Sequence, residues 1–182
     1  KTALSLQPDF TEAHADLGTV LHDKGDLPAA IDSYRAALAI EPSFAQGHIN
    51  LALVLQAQGE FDDAVRSYEA AVALIPANPE AHCGLGTALQ DQGKSSAAMA
   101  SYRIAISLNP GYADAHSNLG TILQHQGRLD ASLTSYRTAL SLKPDSGMAH
   151  GNVGSVLQEM GEHDAAIDSL RKLGIYGKLT VI

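Results

Sequence analysis

The chain has 182 residues, a length that suits one ordinary domain or a short array of repeats. Its formal net charge is −8 and its 12 lysines and arginines are scattered, so the positive stripe that nucleic acid or an anionic membrane surface would need is missing. Apolar residues make up 45% but aromatic residues only 5%, with no tryptophan, which predicts a core of small aliphatic side chains between closely packed helices.

The single cysteine, Cys83, cannot form an internal disulfide, which fits a reducing compartment, and we expect a cytoplasmic location. No apolar run reaches the roughly 18 to 20 residues of a membrane span, so membrane insertion is not expected. The chain opens at KTALSLQP, without methionine, and this start looks like the interior of a longer protein.

Three residue types recur every 34 residues, which indicates stacked repeats. They are Pro8, Pro42, Pro76, Pro110 and Pro144; Gly25, Gly59, Gly93, Gly127 and Gly161; and Tyr34, Tyr68, Tyr102 and Tyr136. We divide the chain into the end of a truncated preceding repeat at 1–10, repeats at 11–44, 45–78, 79–112, 113–146 and 147–172, and a tail at 173–182. The leading segment would expose Leu4 and Leu6, which predicts weak self-association through the truncated ends.

The first half of each repeat is predicted to be an amphipathic helix. In the first repeat His14, Leu17, Gly18 and Leu21 recur at spacings of three and four, which places them on one face. Gly25 follows as a C-terminal stop, because a residue without Cβ adopts the left-handed conformation at little cost.

A second helix is predicted in the other half of each repeat. Ala30, Tyr34 and Ala37 share one face, and the helix ends before Pro42, which cannot continue it. Small residues are predicted where the two helices approach closely, namely Gly18, Ala52, Gly86, Gly120 and Gly154 opposite Ala30, Ala64, Ala98, Ser132 and Ala166.

The run L-G-x-x-L-x-x-x-G, followed by A-x-x-x-Y-x-x-A and then P, at a period of 34, resembles the tetratricopeptide repeat (TPR) over residues 11–172. The resemblance implies an all-α fold, a tandem helix-turn-helix solenoid that forms a right-handed superhelix. It also implies a concave groove lined by the first helices.

Every repeat carries histidine where this family usually has a bulky aromatic residue near the start of the first helix. These residues are His14, His48, His82, His116 and His150. We interpret them as half-buried spacers whose polar edge bonds a neighbouring carbonyl or side chain. Packed helices lie about 8–10 Å apart while zinc needs each nitrogen at about 2.0–2.1 Å, so no metal site is expected. No nucleophile recurs beside them, and no catalytic residue or cofactor is predicted.

The resemblance points the second, fifth, sixth, ninth, twelfth and thirteenth positions of each repeat into the groove. The candidate peptide-binding residues are Asp16, Asn50, Asn118 and Asn152 at the sixth position, Thr87 and Thr121 at the ninth, and Gln56, Gln90, Gln124 and Gln158 at the twelfth. Because an amide both donates and accepts, a row of amides can pair with the backbone of an extended peptide. The alternative is that these amides are ordinary solvated surface. We predict a protein–protein interaction scaffold.

The groove positions carry acids but no lysine or arginine. The acids are Glu12, Asp16, Asp23, Glu80, Asp91, Asp114 and Glu159. TPR co-chaperones that hold acidic tails use basic residues in this surface as a carboxylate clamp, but the fifth positions here are Ala15, Ile49, Cys83, Ser117 and Gly151. The expected partner is therefore a neutral or basic extended segment.

The phrases AHSNLG, EAHCGLG and SYRTALSLKP also resemble the TPR arm of O-linked N-acetylglucosamine transferases, where an asparagine ladder holds protein substrates. Asn50, Asn118 and Asn152 match that ladder, whereas Asp16 and Gly84 do not. The resemblance implies an alternative function, a substrate-recognition arm of a larger glycosyltransferase whose catalytic domain lies outside this chain. The chain itself is not expected to be an enzyme.

The fifth repeat departs from the pattern near its end, where Leu170 and Leu173 replace the expected Tyr and Ala and two glycines follow. One interpretation is a terminus that frays. The other is that GKLTVI begins a following segment or lies in the groove of a neighbouring molecule.

Overall fold

The computed structural model describes residues 10–171, and within this range every regular element is an α-helix. In chain order the helices are α1 (Thr11–Asp23), α2 (Leu27–Ile40), α3 (Ala45–Gln58), α4 (Phe61–Leu74), α5 (Pro79–Asp91), α6 (Ser95–Leu108), α7 (Ala113–His125), α8 (Leu129–Leu142), α9 (Gly147–Glu159) and α10 (His163–Arg171). The prediction of an all-α tandem solenoid is confirmed. The predicted tail at 173–182, and all of the predicted truncated repeat except Phe10, lie outside the described residues.

The chain divides within α6 into two compact parts, residues 1–101 and residues 102–182. In the N-terminal part α1 to α4 each pack on the next helix in sequence, and the first helices also contact one another, α1 with α3 and α3 with α5. In the C-terminal part α7 to α10 pack in the same serial manner, and α7 contacts α9. Each part is therefore a row of helix pairs whose first helices lie side by side.

The turn between the two helices of a repeat depends on a left-handed glycine. Gly59 ends α3 with φ 85°, and its N–H bonds the carbonyl of Gln56. The other four turn glycines, Gly25, Gly93, Gly127 and Gly161, have φ between 71° and 81°. The prediction of a glycine stop is therefore confirmed in all five repeats. Glycine suits this position because any side chain would be strained at this φ.

In the first and fourth repeats the glycine at the eighth position makes room for the tyrosine of the second helix. A Cβ on Gly18 would lie 2.8 Å from Cε1 of Tyr34, and one on Gly120 would lie 2.8 Å from Cδ1 of Tyr136. The predicted close approach of the two helices is present, since the Ser132 hydroxyl donates to the Gly120 carbonyl at 2.8 Å. What the glycine accommodates, however, is an aromatic ring rather than the opposing backbone.

In α3, α5, α7 and α9 the histidine is tied to the linker that precedes the helix. The imidazole Nε2 lies at hydrogen-bond distance from the carbonyl of the proline six residues earlier: His48 to Pro42 at 3.0 Å, His82 to Pro76 at 2.9 Å, His116 to Pro110 at 3.0 Å and His150 to Pro144 at 3.1 Å. A carbonyl only accepts, so Nε2 donates in each case. The rings are half-buried or, for His82, buried, so they fill space as predicted and also fix the entry of the chain into the helix.

Candidate peptide-binding face

We use the term first-helix face for the second, sixth, ninth, twelfth and thirteenth positions of the first helices, which each of the two compact parts carries on its own. In the N-terminal part it belongs to α1, α3 and α5, and in the C-terminal part to α7 and α9. The amphipathic pattern turns the opposite face of each of these helices toward its neighbours, which leaves these polar positions at the surface.

The sixth position carries amides that retain hydrogen-bonding capacity. Asn50 is half-buried, and its Oδ1 accepts a hydrogen bond from Gln46 Nε2 at 2.9 Å, four residues earlier on the same helix. The two N–H donors of Asn50 and the whole amide of Asn152 have no partner among residues 10–171. Asn152 and Asn118 are half-buried, and Asp16 is exposed.

The twelfth position carries glutamines that connect one repeat to the next. Gln56 Nε2 donates to Asp91 Oδ2 at 2.9 Å, from α3 to α5. Gln124 Nε2 donates to Ser155 Oγ at 3.1 Å and to the Glu159 carboxylate, from α7 to α9. Of the other two predicted residues at this position, Gln90 is half-buried and Gln158 is exposed. The donors of Gln56 and Gln124 therefore act within the protein as braces between repeats.

The ninth-position threonines are bonded within their own repeat. Thr121 Oγ1 donates to the Ser117 carbonyl at 3.2 Å and lies 2.9 Å from the hydroxyl of Tyr136. Thr19 makes the same pair of contacts with the Ala15 carbonyl and Tyr34, and Thr87 donates to the Cys83 carbonyl at 3.1 Å.

The phenols that these threonines contact are perturbed by burial. Burial raises the pKa of both Tyr34 and Tyr136, because the charged phenolate is poorly solvated there. The threonine hydrogen bonds lower these pKa values in part, and the nearby carboxylates of Asp23 and Glu159, respectively, raise them further.

The gap in the asparagine row at Gly84 has a steric cause. In the second repeat the eighth and ninth positions are Ala52 and Leu53, so the pocket that glycine provides in the first and fourth repeats is narrower and has no hydroxyl. The ring of Tyr68 lies instead against α5, where a Cβ on Gly84 would overlap its Cε1 and Cζ atoms. A side chain at position 84 and this placement of Tyr68 exclude each other.

The sequence models of one family match most of the chain. One model, described as "TPR repeat", matches residues 18–59 and 57–93, and a second, described as "Tetratricopeptide repeat", matches residues 83–147 and 118–177. The chain belongs to the tetratricopeptide-repeat family. This family consists of protein-interaction scaffolds, and neither matched model is that of an enzyme family.

Solved tetratricopeptide structures resemble most of the chain. A MamA protein is 27% identical, with a TM-score of 0.78 over 94% of this chain and 96% of that one. YrrB, described as a TPR protein with an unusual peptide-binding site, is 21% identical, with a TM-score of 0.72 over 94% and 89% of the two chains. The pilF protein of Pseudomonas aeruginosa is 23% identical, with a TM-score of 0.83 over 93% and 78%. No curated protein matches the sequence.

The described part of this tetratricopeptide chain contains no group of three or more His, Cys, Asp or Glu side chains that could hold a metal ion. Over the same residues, each helix is too short or too polar to cross a bilayer. The four arginine and lysine ion pairs with aspartate between residues 10 and 171 have partly exposed partners, and one of them, Lys143 Nζ to Asp114 Oδ1 at 2.8 Å, neutralises an acid of the first-helix face.

Sequence reasoning missed the partners of the amides. Gln46 orients Asn50, and Asp91, Ser155 and Glu159 accept from the twelfth-position glutamines. A signal was present, because an acid stands 35 residues after Gln56 and again after Gln124, one position beyond a full repeat. Read across neighbouring tetratricopeptide repeats, this offset indicates a donor and acceptor pair.

Proposed function

We propose that this protein is an interaction scaffold that binds an extended peptide segment on the first-helix face. The observation that carries the proposal is the unused hydrogen-bonding capacity of Asn50 and Asn152, at the same position of the second and fifth repeats. An extended backbone offers one N–H and one C=O per residue, and a half-buried amide can meet both. Asn118 has the sixth position of the fourth repeat, on α7, which contacts α9 within the C-terminal part.

The other candidate residues take supporting roles in this proposal. Gln56 and Gln124 hold neighbouring first helices in register, and Thr121 fixes Tyr136, so they determine where the asparagines stand. Asp16 in the N-terminal part and Gln158 in the C-terminal part are exposed and add to the polar surface of their own part. Thr87 and Gln90, both half-buried on α5, complete the surface beside Gly84.

The charge of the first-helix face favours a neutral or basic segment. Its titratable positions carry acids and histidines but neither lysine nor arginine, so an acidic tail would find no counter-charge. A peptide is also the kind of partner that YrrB, a protein of the same fold, is described as binding.

Selection from a phage-displayed library of twelve-residue peptides tests the proposal. Wild-type protein should enrich peptides with few acids, and the double variant Asn50→Ala/Asn152→Ala should bind the same peptides about tenfold more weakly, since a net hydrogen bond contributes about 0.5–1.5 kcal/mol. Gln58→Ala, an exposed amide at the end of α3 outside the face, is the matched control and should bind as wild type. Equal binding by the double variant would show that these asparagines do not bind the peptide. The absence of any selected peptide would contradict the proposal of peptide binding altogether.

A second candidate function is the substrate-recognition arm of a larger glycosyltransferase. It is supported by Asn50, Asn118 and Asn152, which the sequence resemblance matches to the asparagine ladder of such an arm. Gly84 interrupts that ladder because the ring of Tyr68 occupies the space. Sequencing the reading frame beyond both ends of this chain decides the matter, since the arm function requires a transferase domain in the same protein.

A further inference from the structure

We propose a second binding site, a notch between α2 and α4 that takes the free carboxyl terminus of a partner protein whose last residue is aliphatic. The notch has a volume of about 270 Å³ and lies wholly within the N-terminal part of the chain. It is separate from the first-helix face, because it is lined by the second helices of the first two repeats and by the side of α3 that packs between them.

The floor of the notch is apolar. Leu38 of α2, Leu51 and Leu55 of α3, and Ala70 of α4 line it. Leu51 and Leu55 are buried, whereas Leu38 and Ala70 keep part of their surface accessible. An aliphatic side chain placed here would remove apolar surface from water on both sides, at about 25 cal/mol for each Å² buried.

The rim of the notch carries one positive charge in excess. Arg35 Nη2 lies 3.9 Å from Asp63 Oδ2, and Arg66 Nη2 bonds Asp63 Oδ1, so two guanidinium groups share one carboxylate. Two guanidinium groups offer ten N–H donors, far more than a single carboxylate can accept. The arginine side chains are 53% and 68% exposed, and exposed pairs of this kind are weakly held, so both can turn toward an incoming anion.

A serine hydroxyl that has no hydrogen-bond partner within the described part of the chain also lines the notch. Ser67 is 9% exposed, lines the notch, and makes no hydrogen bond to any residue between 10 and 171. At the same position of other repeats, Ser33 donates to the Ala29 carbonyl at 2.8 Å and Ser135 to the Ala131 carbonyl at 3.0 Å. Ser67 thus keeps a donor that a bound carboxylate can use.

The charge and shape together favour a terminal carboxylate. A monoanion matches the single excess charge, whereas the dianion of a phosphate monoester would also face Asp63. A C-terminal aliphatic residue carries its carboxylate and its apolar side chain on the same Cα, which suits a charged rim above an apolar floor. A glutamate within a chain would place only two methylene groups on that floor and would need backbone on both sides of the notch.

The arrangement is particular to this pair of repeats. An equivalent notch would need an arginine at the position of Arg35 in one repeat and at the position of Arg66 in the next. Between the second and third repeats the first of these residues is Glu69, and between the fourth and fifth repeats the second is Asp168, so neither pair has two arginines. The notch is therefore not a by-product of the repeat pattern.

Titration of the isotopically labelled 182-residue chain with N-acetyl-leucine, followed by amide NMR shifts, tests the site. We expect saturable shifts confined to α2, α3 and α4 with a dissociation constant on the order of millimolar, as suits a ligand of about twelve heavy atoms. N-acetyl-leucinamide, which lacks only the carboxylate, and N-acetylglycine, which lacks the aliphatic side chain, should each bind at least fivefold more weakly.

Arg35→Gln and Arg66→Gln should each weaken the binding of N-acetyl-leucine at least fivefold, and Ser67→Ala should weaken it by a smaller factor. Arg137→Gln, at the position of Arg35 in the fourth repeat, is the matched control and should leave the shifts unchanged. The proposal is overturned by equal binding of the amide, by arginine variants that titrate as wild type, or by the absence of saturable shifts. An acetylated and amidated peptide with a central glutamate that binds as tightly as N-acetyl-leucine would overturn the choice of a chain terminus.

Discussion

Tyr136 combines packing and hydrogen bonding in one side chain. Its ring covers Gly120, and its hydroxyl contacts Thr121 Oγ1 at 2.9 Å and donates to Gln124 Oε1 at 3.2 Å. Thr121 and Gln124, which the sequence analysis predicts to bind a peptide, are thus held in place by the buried hydroxyl of Tyr136. Asn152 on the next first helix has no such contact among the described residues, so neighbouring polar side chains of similar appearance differ in what they can offer a partner.

The raised pKa of Tyr136 predicts a loss of stability in alkali. A phenol whose folded pKa lies above the ordinary value of about 10 stabilises the fold fully below that value and loses this contribution as the pH rises through the folded pKa. Tyr136→Phe should lower the free energy of unfolding by about 1 kcal/mol at pH 8 and then lose less than wild type between pH 9 and 11. Urea unfolding at each pH measures both quantities, and parallel losses in the two proteins would contradict the assignment.

At the scale of the helices, α3, α4 and α5 are coupled through one ring. Ala52 and Leu53 on α3 do not offer Tyr68 the site that glycine and threonine give Tyr34 and Tyr136, and the ring lies against Gly84 on α5. The glycine at the sixth position of the third repeat is thus matched to the position of Tyr68 in the second repeat.

This coupling predicts a non-additive set of substitutions. Gly84→Asn alone should destabilise the protein by about 1–3 kcal/mol, because the new side chain overlaps the ring of Tyr68. In the background Ala52→Gly/Leu53→Thr the ring can move back over α3, and the same change should cost at least 1 kcal/mol less. Chemical denaturation of the four proteins closes the cycle, and equal costs in both backgrounds would show that Tyr68 does not shift.

The whole molecule is acidic, and its acidic and basic side chains are unevenly distributed over the surface. The net charge is −8, seven acids stand at the groove positions that the resemblance indicates, and none of those positions has a lysine or arginine. The arginines Arg35 and Arg66 converge instead on the notch between α2 and α4. A partner that presents basic residues to the first-helix face and a free carboxylate to the notch would use both surfaces.

Binding of a basic peptide to the first-helix face should weaken with salt. Raising the ionic strength from about 0.05 M to 0.5 M shortens the screening length to a few ångströms. The affinity for a peptide with four lysines should therefore fall by about tenfold. A neutral peptide of the same length, selected on the same protein, is the control and should change by less than a factor of two. Fluorescence anisotropy measures both affinities, and a basic peptide that is insensitive to salt would show that charge does not select the partner.

The sequence by itself determined the helices and their turns, because these depend on contacts between residues close in the chain. The motif repeated every 34 residues also indicated the family. A left-handed glycine ends the first helix in all five repeats, and a proline follows the second helix in the first four. The spacer histidines were also predictable, although their proline carbonyl acceptors were not named.

Only the tertiary structure decided which amides are open to a partner. Gln124 and Asn152 look equivalent in the sequence, but Gln124 is held by residues 31 and 35 positions later, on the next first helix. The notch depends in the same way on Arg35 and Arg66, which meet at Asp63 only because α2 and α4 both pack against α3. Hydrogen bonds and charge pairs between repeats depend on distances across packed helices, and a one-dimensional period does not contain those distances.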